Sequence, residues 1–259
     1  MTNPKKALGQ HWLKDIATLE AICQAADLKN DDTVLEIGPG LGDLTRQLVL
    51  HAGTVIAVEL DKELAERLPK VVGAPNLEVI NDDILKIDLT QMPVGYKVVA
   101  NIPYYLTSNL IRILCESGNP PTTAVLLVQK EVAERIAAEP GQMSLLSVSA
   151  QLYFSPKLGP VVSAELFEPP PKVDSQVIIL KRRSKPLFEK LDTRIFFRIV
   201  KAGFAGRRKK LRGSLSAGLN ISKEQADRLL ESAGIDGDLR AQNLSLQDWH
   251  KLYLIYQEF

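Results

Sequence analysis

The chain has 259 residues, of which 45% are hydrophobic and 24% charged, enough for one sizeable core and a smaller second unit. Its apolar runs, such as 124–128, are far too short to cross a bilayer, and Met1 to Asp15 is polar and basic; neither a secretory leader nor a membrane anchor is expected, and the cytoplasm is the default location. A net charge of +1 conceals strong segregation: Lys181 to Gly213 holds thirteen Lys/Arg and two acids, a local +11 that leaves −10 for the rest, the electrostatic footprint of a phosphate-backbone partner.

In chain order, a helix is expected over 16–26, followed by strands at 33–37, 54–58, 77–80, 98–100 and 124–128. Helical patterns lie between them at 43–51, at 62–68 ending before Pro69, at 108–117, and after the last strand at 130–138. Short β-branched runs alternating with amphipathic segments are the signature of successive βαβ units and a parallel sheet. Further strands at 149–154 and 175–180, joined through Pro169-Pro170-Pro171, are expected to extend one edge. After Pro186 only helices are expected, at 193–204, 207–217, 223–233 and 246–259. The two cysteines, Cys23 and Cys115, sit in amphipathic helical patterns as buried free thiols. His11, His51 and His250 lack metal-ligand spacing, so neither a disulfide framework nor a metal site is expected.

The segment Glu36-Ile-Gly38-Pro-Gly40-Leu-Gly42 follows the first core strand and opens a helix, where doubly wound folds bind nucleotides. Glu59 ends the second strand, where a carboxylate can accept hydrogen bonds from both ribose hydroxyls. This pair alone fits a nicotinamide dinucleotide about as well, and a tight turn is the bland alternative. Asn81-Asp82-Asp83 after the third strand adds an acceptor suited to an adenine amine; one of the two acids is also expected to cap the following turn.

Asn101-Ile102-Pro103-Tyr104 follows the fourth strand on the same edge. An exocyclic adenine amine is a poor nucleophile, because its lone pair is delocalised into the ring, so a methyl-transfer site must orient it. The Asn101 side chain and the Ile102 or Pro103 carbonyl could accept its two hydrogens and aim the lone pair at a sulfonium methyl. The Tyr104 ring could stack on the base, and Phe167 could form a second wall or simply a core contact. A plain β-turn with a packed tyrosine is the competing reading.

The motifs Leu8-Gly-Gln10-His11-Trp12-Leu13, Glu36 to Gly42, Val58-Glu59-Leu60-Asp61, Asn101 to Tyr104, Gln129-Lys130-Glu131-Val132-Ala133 and Phe167 to Ser175 together resemble the ribosomal RNA adenine dimethyltransferase family over essentially the whole length. The resemblance implies an α/β, Rossmann-like class I S-adenosylmethionine-dependent methyltransferase fold with a smaller C-terminal all-helical domain. Residues 1–184 would form the catalytic domain and 185–259 a helical RNA-binding domain. It implies that His11 and Leu13 close over S-adenosylmethionine, that Gly38 lies under it, that Glu59 holds the ribose and Asp83 the adenine amine, and that Asn101 stands between donor and acceptor. Asn101, Ile102, Pro103, Tyr104 and Phe167 become the catalytic set, with Tyr104 and Phe167 sandwiching the target base; the family commonly has Asn-Phe where this chain has His11-Trp12. Arg207, Arg208, Lys209, Lys210 and Arg212, on an expected helix, resemble the RNA-facing segment.

The implied reaction is dimethylation at N6 of two adjacent adenosines near the 3′ end of small-subunit RNA, within an immature subunit, by a monomer that needs no metal and spends its cofactor to S-adenosylhomocysteine. Three other readings are an antibiotic-resistance dimethyltransferase of large-subunit RNA, an assembly factor in which methylation is incidental, and a small-molecule methyltransferase or nicotinamide enzyme. The local +11 argues against the last.

Overall fold

The computed structural model describes residues 5, 9–206 and 208–258. A two-residue strand, β1 (Trp12–Leu13), leads into α1 (Ile16–Ala25), whose N-terminus is capped by the Asp15 carboxylate accepting the Thr18 N–H. The alternating pattern then unfolds as expected: β2 (Thr33–Ile37), α2 (Asp43–His51), β3 (Thr54–Val58), α3 (Lys62–Val72), β4 (Leu77–Ile80), β5 (Lys97–Asn101), α4 (Thr107–Glu116) and β6 (Thr123–Gln129). These five longer strands pair in parallel. Val34, Val55, Val99 and Val125 share one apolar cluster with Leu19, Ile22, Leu44 and Leu48 of α1 and α2. Their neighbours Leu35, Ile56, Val98 and Leu126 are also buried, so both faces are covered, which is why these strands read as continuous apolar runs.

The chain continues through α5 (Lys130–Ile136), α6 (Leu145–Tyr153), β7 (Phe154–Val162), β8 (Phe167–Glu168) and β9 (Ser175–Arg182). The seven-stranded sheet runs β4-β3-β2-β5-β6-β9-β7, with β9 antiparallel to both β6 and β7. From β2 the chain steps outward to β4 and then returns to β5 on the other side of β2. Such a reversal opens a crevice at the carboxyl ends of the strands. β1 and β8 form a separate antiparallel ribbon, with Trp12 opposite Glu168 and Leu13 opposite Phe167.

Two compact units result, one of Met1–Glu134 with Phe154–Arg182, the other of Arg135–Tyr153 with Arg183–Phe259. A single cut after residue 184 therefore misplaces Arg135–Tyr153. Residues 149–153, expected as strand, are helical. Ser144 and Ser147 cap the start of α6 reciprocally, through Ser144 N–H to Ser147 Oγ (2.6 Å) and Ser147 N–H to Ser144 Oγ (3.2 Å). Val148 and Leu152 then enter the apolar cluster of the second unit, where α6 is a structural member.

That unit also holds α7 (Thr193–Phe204), α8 (Leu211–Leu219), α9 (Lys223–Ser232) and α10 (Leu246–Glu258), packed around Phe196, Leu215, Leu229, Trp249 and Tyr253. Two helix bounds differ from expectation. α3 passes through Pro69 and ends instead at Gly73 in the left-handed conformation (φ 68°). α8 begins at Leu211, so Arg208, Lys209 and Lys210 precede it.

Candidate active site

Each strand end at the crevice contributes one element of a ladder. At β2, the chain turns through Gly38, Gly40 and Gly42, all at positive φ. A Cβ on Gly40 would approach the Trp12 indole to 3.2 Å, and one on Gly42 would meet Leu68 at 2.8 Å, so side chains are excluded where the backbone must pass closely. At β3, the Glu59 carboxylate accepts the Gly40 N–H (3.0 Å) with one oxygen and the Asp61 N–H (2.8 Å) with the other, fixing the glycine loop to the neighbouring strand. Burial pushes the Glu59 carboxyl above its usual range, and these backbone donors offset part of the rise. At β4, Asp83 is half-buried and caps the next turn by accepting the Leu85 N–H (3.0 Å), while Asp82 accepts the Asp83 N–H (2.7 Å).

At β5, the Asn101 amide donates to the His11 carbonyl (3.3 Å), leaving its side-chain oxygen as an acceptor. The Pro103 carbonyl already accepts the Leu106 N–H (2.9 Å). Tyr104 is anchored by its phenol, 2.8 Å from Ser175 Oγ at the start of β9. Its ring lies near-parallel to that of His11, with 21° between planes and centroids 6.0 Å apart. His11 Nδ1 sits 2.7 Å from the Pro169 carbonyl. Since a carbonyl only accepts, Nδ1 carries the proton. Phe167, 4% exposed, belongs to the same apolar cluster as Leu13; it is both a core contact and a crevice wall.

All ten residues expected at the cofactor and base sites (His11, Leu13, Gly38, Glu59, Asp83, Asn101, Ile102, Pro103, Tyr104 and Phe167) line this one crevice, of ≈ 260 Å³. Sequence reasoning overlooked four contributors: Trp12, Tyr105, Ser175 and the Glu36 side chain. Glu36 carried a signal, being an acid inside an otherwise apolar parallel strand. It is 1% exposed, and neither of its carboxyl oxygens has a hydrogen-bond partner. Among the described residues, no group of three His, Cys, Asp or Glu could hold a metal, and no helix is long and apolar enough to cross a membrane.

The basic segment is only partly open. Arg207 and Leu8 lie outside the described residues. Arg208 and Lys209 are exposed. Lys210 pairs with Asp238 (2.8 Å), and Arg212 with Asp238 (2.5 Å) and Asp227 (3.6 Å). The two cations hold the Asp238 carboxyl below its usual range.

A cradle closed to side chains, a carboxylate poised beside it and an orphaned acid beneath fit a nucleoside carrying a cationic tail. On this sheet order they define a class I methyltransferase that uses S-adenosylmethionine. Comparison with known proteins narrows the class. The chain belongs to the ribosomal RNA adenine dimethylase family, matched over residues 1–258. It is 45% identical over 256 residues to "Ribosomal RNA small subunit methyltransferase A" of Dehalococcoides mccartyi (strain CBDB1), covering 97% of this chain and 88% of that one. The like-named protein of Oceanobacillus iheyensis is 36% identical, with 98% and 91% covered. Among solved structures, a dimethyladenosine transferase from Plasmodium falciparum superposes with a TM-score of 0.82 at 28% identity, covering 96% of this chain and 98% of that one. The 23S rRNA methyltransferase ErmE gives 0.76 at 32% identity, covering 95% and 99%.

Proposed function

We propose that this protein dimethylates N6 of two adjacent adenosines near the 3′ end of small-subunit ribosomal RNA, acting as a cytoplasmic monomer on an immature subunit. The observation that carries the reading is one crevice in which the glycine ladder meets the Asn101–Tyr104 edge. Small-subunit RNA is favoured over large-subunit RNA by relatives named for the small subunit along nearly the whole chain. Incubating the protein with labelled donor and each immature subunit tests this: label is expected in adenosines of the small subunit, and label confined to the large subunit overturns it.

S-adenosylmethionine supplies an activated methyl on a sulfonium sulfur that leaves as a neutral thioether. The chain's part is to bind and orient. Glu59 takes the ribose hydroxyls with the lone pairs its backbone donors leave, Asp83 takes the adenine amine, Gly38 lies beneath, and His11 and Leu13 close above. On the acceptor side, the Asn101 oxygen and the carbonyl of Ile102 or Pro103 would hold the two amine hydrogens, the Pro103 carbonyl with the lone pair that the Leu106 N–H leaves. The lone pair of the nitrogen then points at the methyl. Tyr104 and Phe167 stack on the flipped base, at about 1–3 kcal/mol per stacked base.

Tyr104→Phe is therefore expected to stay within a few-fold of the parent, since it loses only the Ser175 contact. Tyr104→Ala is expected to raise the KM for RNA about 10–100-fold, from the stacking energy. Equal effects of the two variants in steady-state assays would count against stacking. In the second unit, Arg208→Ala with Lys209→Ala is expected to flatten the slope of log affinity against log salt by about 1–2 and to leave donor affinity unchanged. Arg212→Ala should move the slope less, because its charge is already shared with Asp227 and Asp238. Filter binding across a salt series distinguishes the two.

A further inference from the structure

Tyr104 and Tyr105 are consecutive in the chain but face different ways. They share one turn of 3₁₀ helix, Tyr104–Leu106, that runs straight into α4. With three residues per turn, successive side chains point about 120° apart. Tyr104 is half-buried, its phenol held by Ser175, and Leu106 enters the core. Tyr105 is left pointing outward, 60% exposed, while still lining the crevice. Among the described residues its phenol has no hydrogen-bond partner, so unlike Tyr104 it is not anchored from its tip.

The ring is nevertheless held in place. The Leu106 N–H closes the turn on the Pro103 carbonyl (2.9 Å) and the Thr107 hydroxyl donates to the Tyr104 carbonyl (3.1 Å). A Cβ built on Gly9, which has φ 60°, would lie 3.5 Å from two ring atoms of Tyr105, so the segment leading into β1 passes closely along one side of the ring. The exposed remainder faces solvent. A lone solvent-facing tyrosine is ordinary on an open surface; this one stands at the lip of the pocket, one residue beyond the proposed stacking partner of the target base. Nothing beside it repels a phosphate backbone. The first turn of α4 carries no acid and exposes Ser108 and Asn109, whereas the acids of the crevice, Glu36, Asp43, Glu59, Asp82 and Asp83, belong to the ends of β2, β3 and β4.

We infer that Tyr105 is the platform for the nucleotide next to the one being methylated: its open side stacks on the adjacent base while the target adenine enters the pocket against Tyr104. Extruding one base leaves its neighbour without a stacking partner on one side, and single-stranded recognition commonly supplies that partner from an aromatic ring. The inference rests on the proposed reaction at two adjacent adenosines and adds a second contact to it. Two tyrosines on one rigid turn, one turned into the pocket and one out of it, then set the register of the strand by a fixed offset of one nucleotide.

The test measures the affinity of the full chain, loaded with S-adenosylhomocysteine, for immature small subunits whose RNA carries both adenosines or has one or the other replaced by uridine, a weaker stacker. Tyr105→Ala is expected to weaken binding to unaltered subunits about tenfold, and Tyr105→Phe to stay within about threefold of the parent. Of the two replacements, the one that removes the platform base is expected to weaken the parent several-fold and to be silent in Tyr105→Ala. S-adenosylhomocysteine affinity measured without RNA should be the same in all three proteins. Parental subunit affinity in Tyr105→Ala, or both replacement penalties persisting in it undiminished, overturns the platform. So does a loss confined to S-adenosylhomocysteine binding, which would assign Tyr105 to supporting the backbone at Gly9. A parent that methylates neither adenosine of these subunits removes the proposed substrate itself, and this inference with it.

Discussion

Replacing Asn101 with alanine is expected to slow methyl transfer about 10²–10³-fold, the scale on which one preorganised polar partner of a transition state acts. The loss should fall on kcat. On the proposed assignment, donor binding depends chiefly on Glu59, Asp83 and the glycine turn, and RNA binding on stacking and on the basic segment. The Asn101 amide also donates to the His11 carbonyl, so a several-fold weakening of donor affinity is expected beside the main effect. Single-turnover transfer from labelled donor, at saturating concentrations of both substrates, separates the two. Near-parental turnover would remove Asn101 from the reaction centre. The same variant probes whether methylation is incidental to assembly: subunit maturation that proceeds normally with an inactive enzyme would give the binding role precedence.

Glu59→Ala is expected to weaken donor affinity by 10²-fold or more, taking about 1.5–3 kcal/mol for each hydrogen bond to a charged group. RNA affinity measured without donor should barely change. Glu59→Gln is not expected to rescue it. Both carboxylate oxygens accept backbone N–H groups, from Gly40 and Asp61, and an amide would turn a donor towards one of them. Titration with S-adenosylhomocysteine reads both variants. A glutamine variant that binds like the parent would show that charge and loop pinning are dispensable.

Most of the catalytic unit was legible because its strands are buried on both faces, so Val34-Leu35 or Ala124 to Val128 stand out as short apolar runs. Gly38, Glu59, Asp83 and Asn101 lie at or just past the ends of such runs, whereas His11, Leu13 and Phe167 lie on or beside the separate ribbon. The spatial order of the strands was not legible; it depends on which crossovers pack, and no local pattern records that. Ser149 to Phe154 misled for a definable reason: its polar–apolar alternation suits a strand, whereas the Ser144–Ser147 cap and a distant apolar cluster decide for helix. Pro69 misled because the amphipathic pattern runs on through it to the left-handed Gly73, where the helix ends. The basic run at 208–212 was visible as charge, but not the acids that partly neutralise it, since Asp227 and Asp238 lie far along the chain.

The ribbon of β1 and β8 has a mechanical consequence. The strap carrying His11 and Leu13 is zipped to the very segment that presents Phe167, and the Pro169 carbonyl clasps His11 as well. The segment proposed to roof the donor and the segment proposed to wall the base pocket are thus joined as one ribbon. If His11 and Leu13 roof the donor and Phe167 walls the base pocket, as proposed above, lifting the roof would loosen the grip on the nucleobase, and exchange of spent cofactor would be tied to release of the RNA.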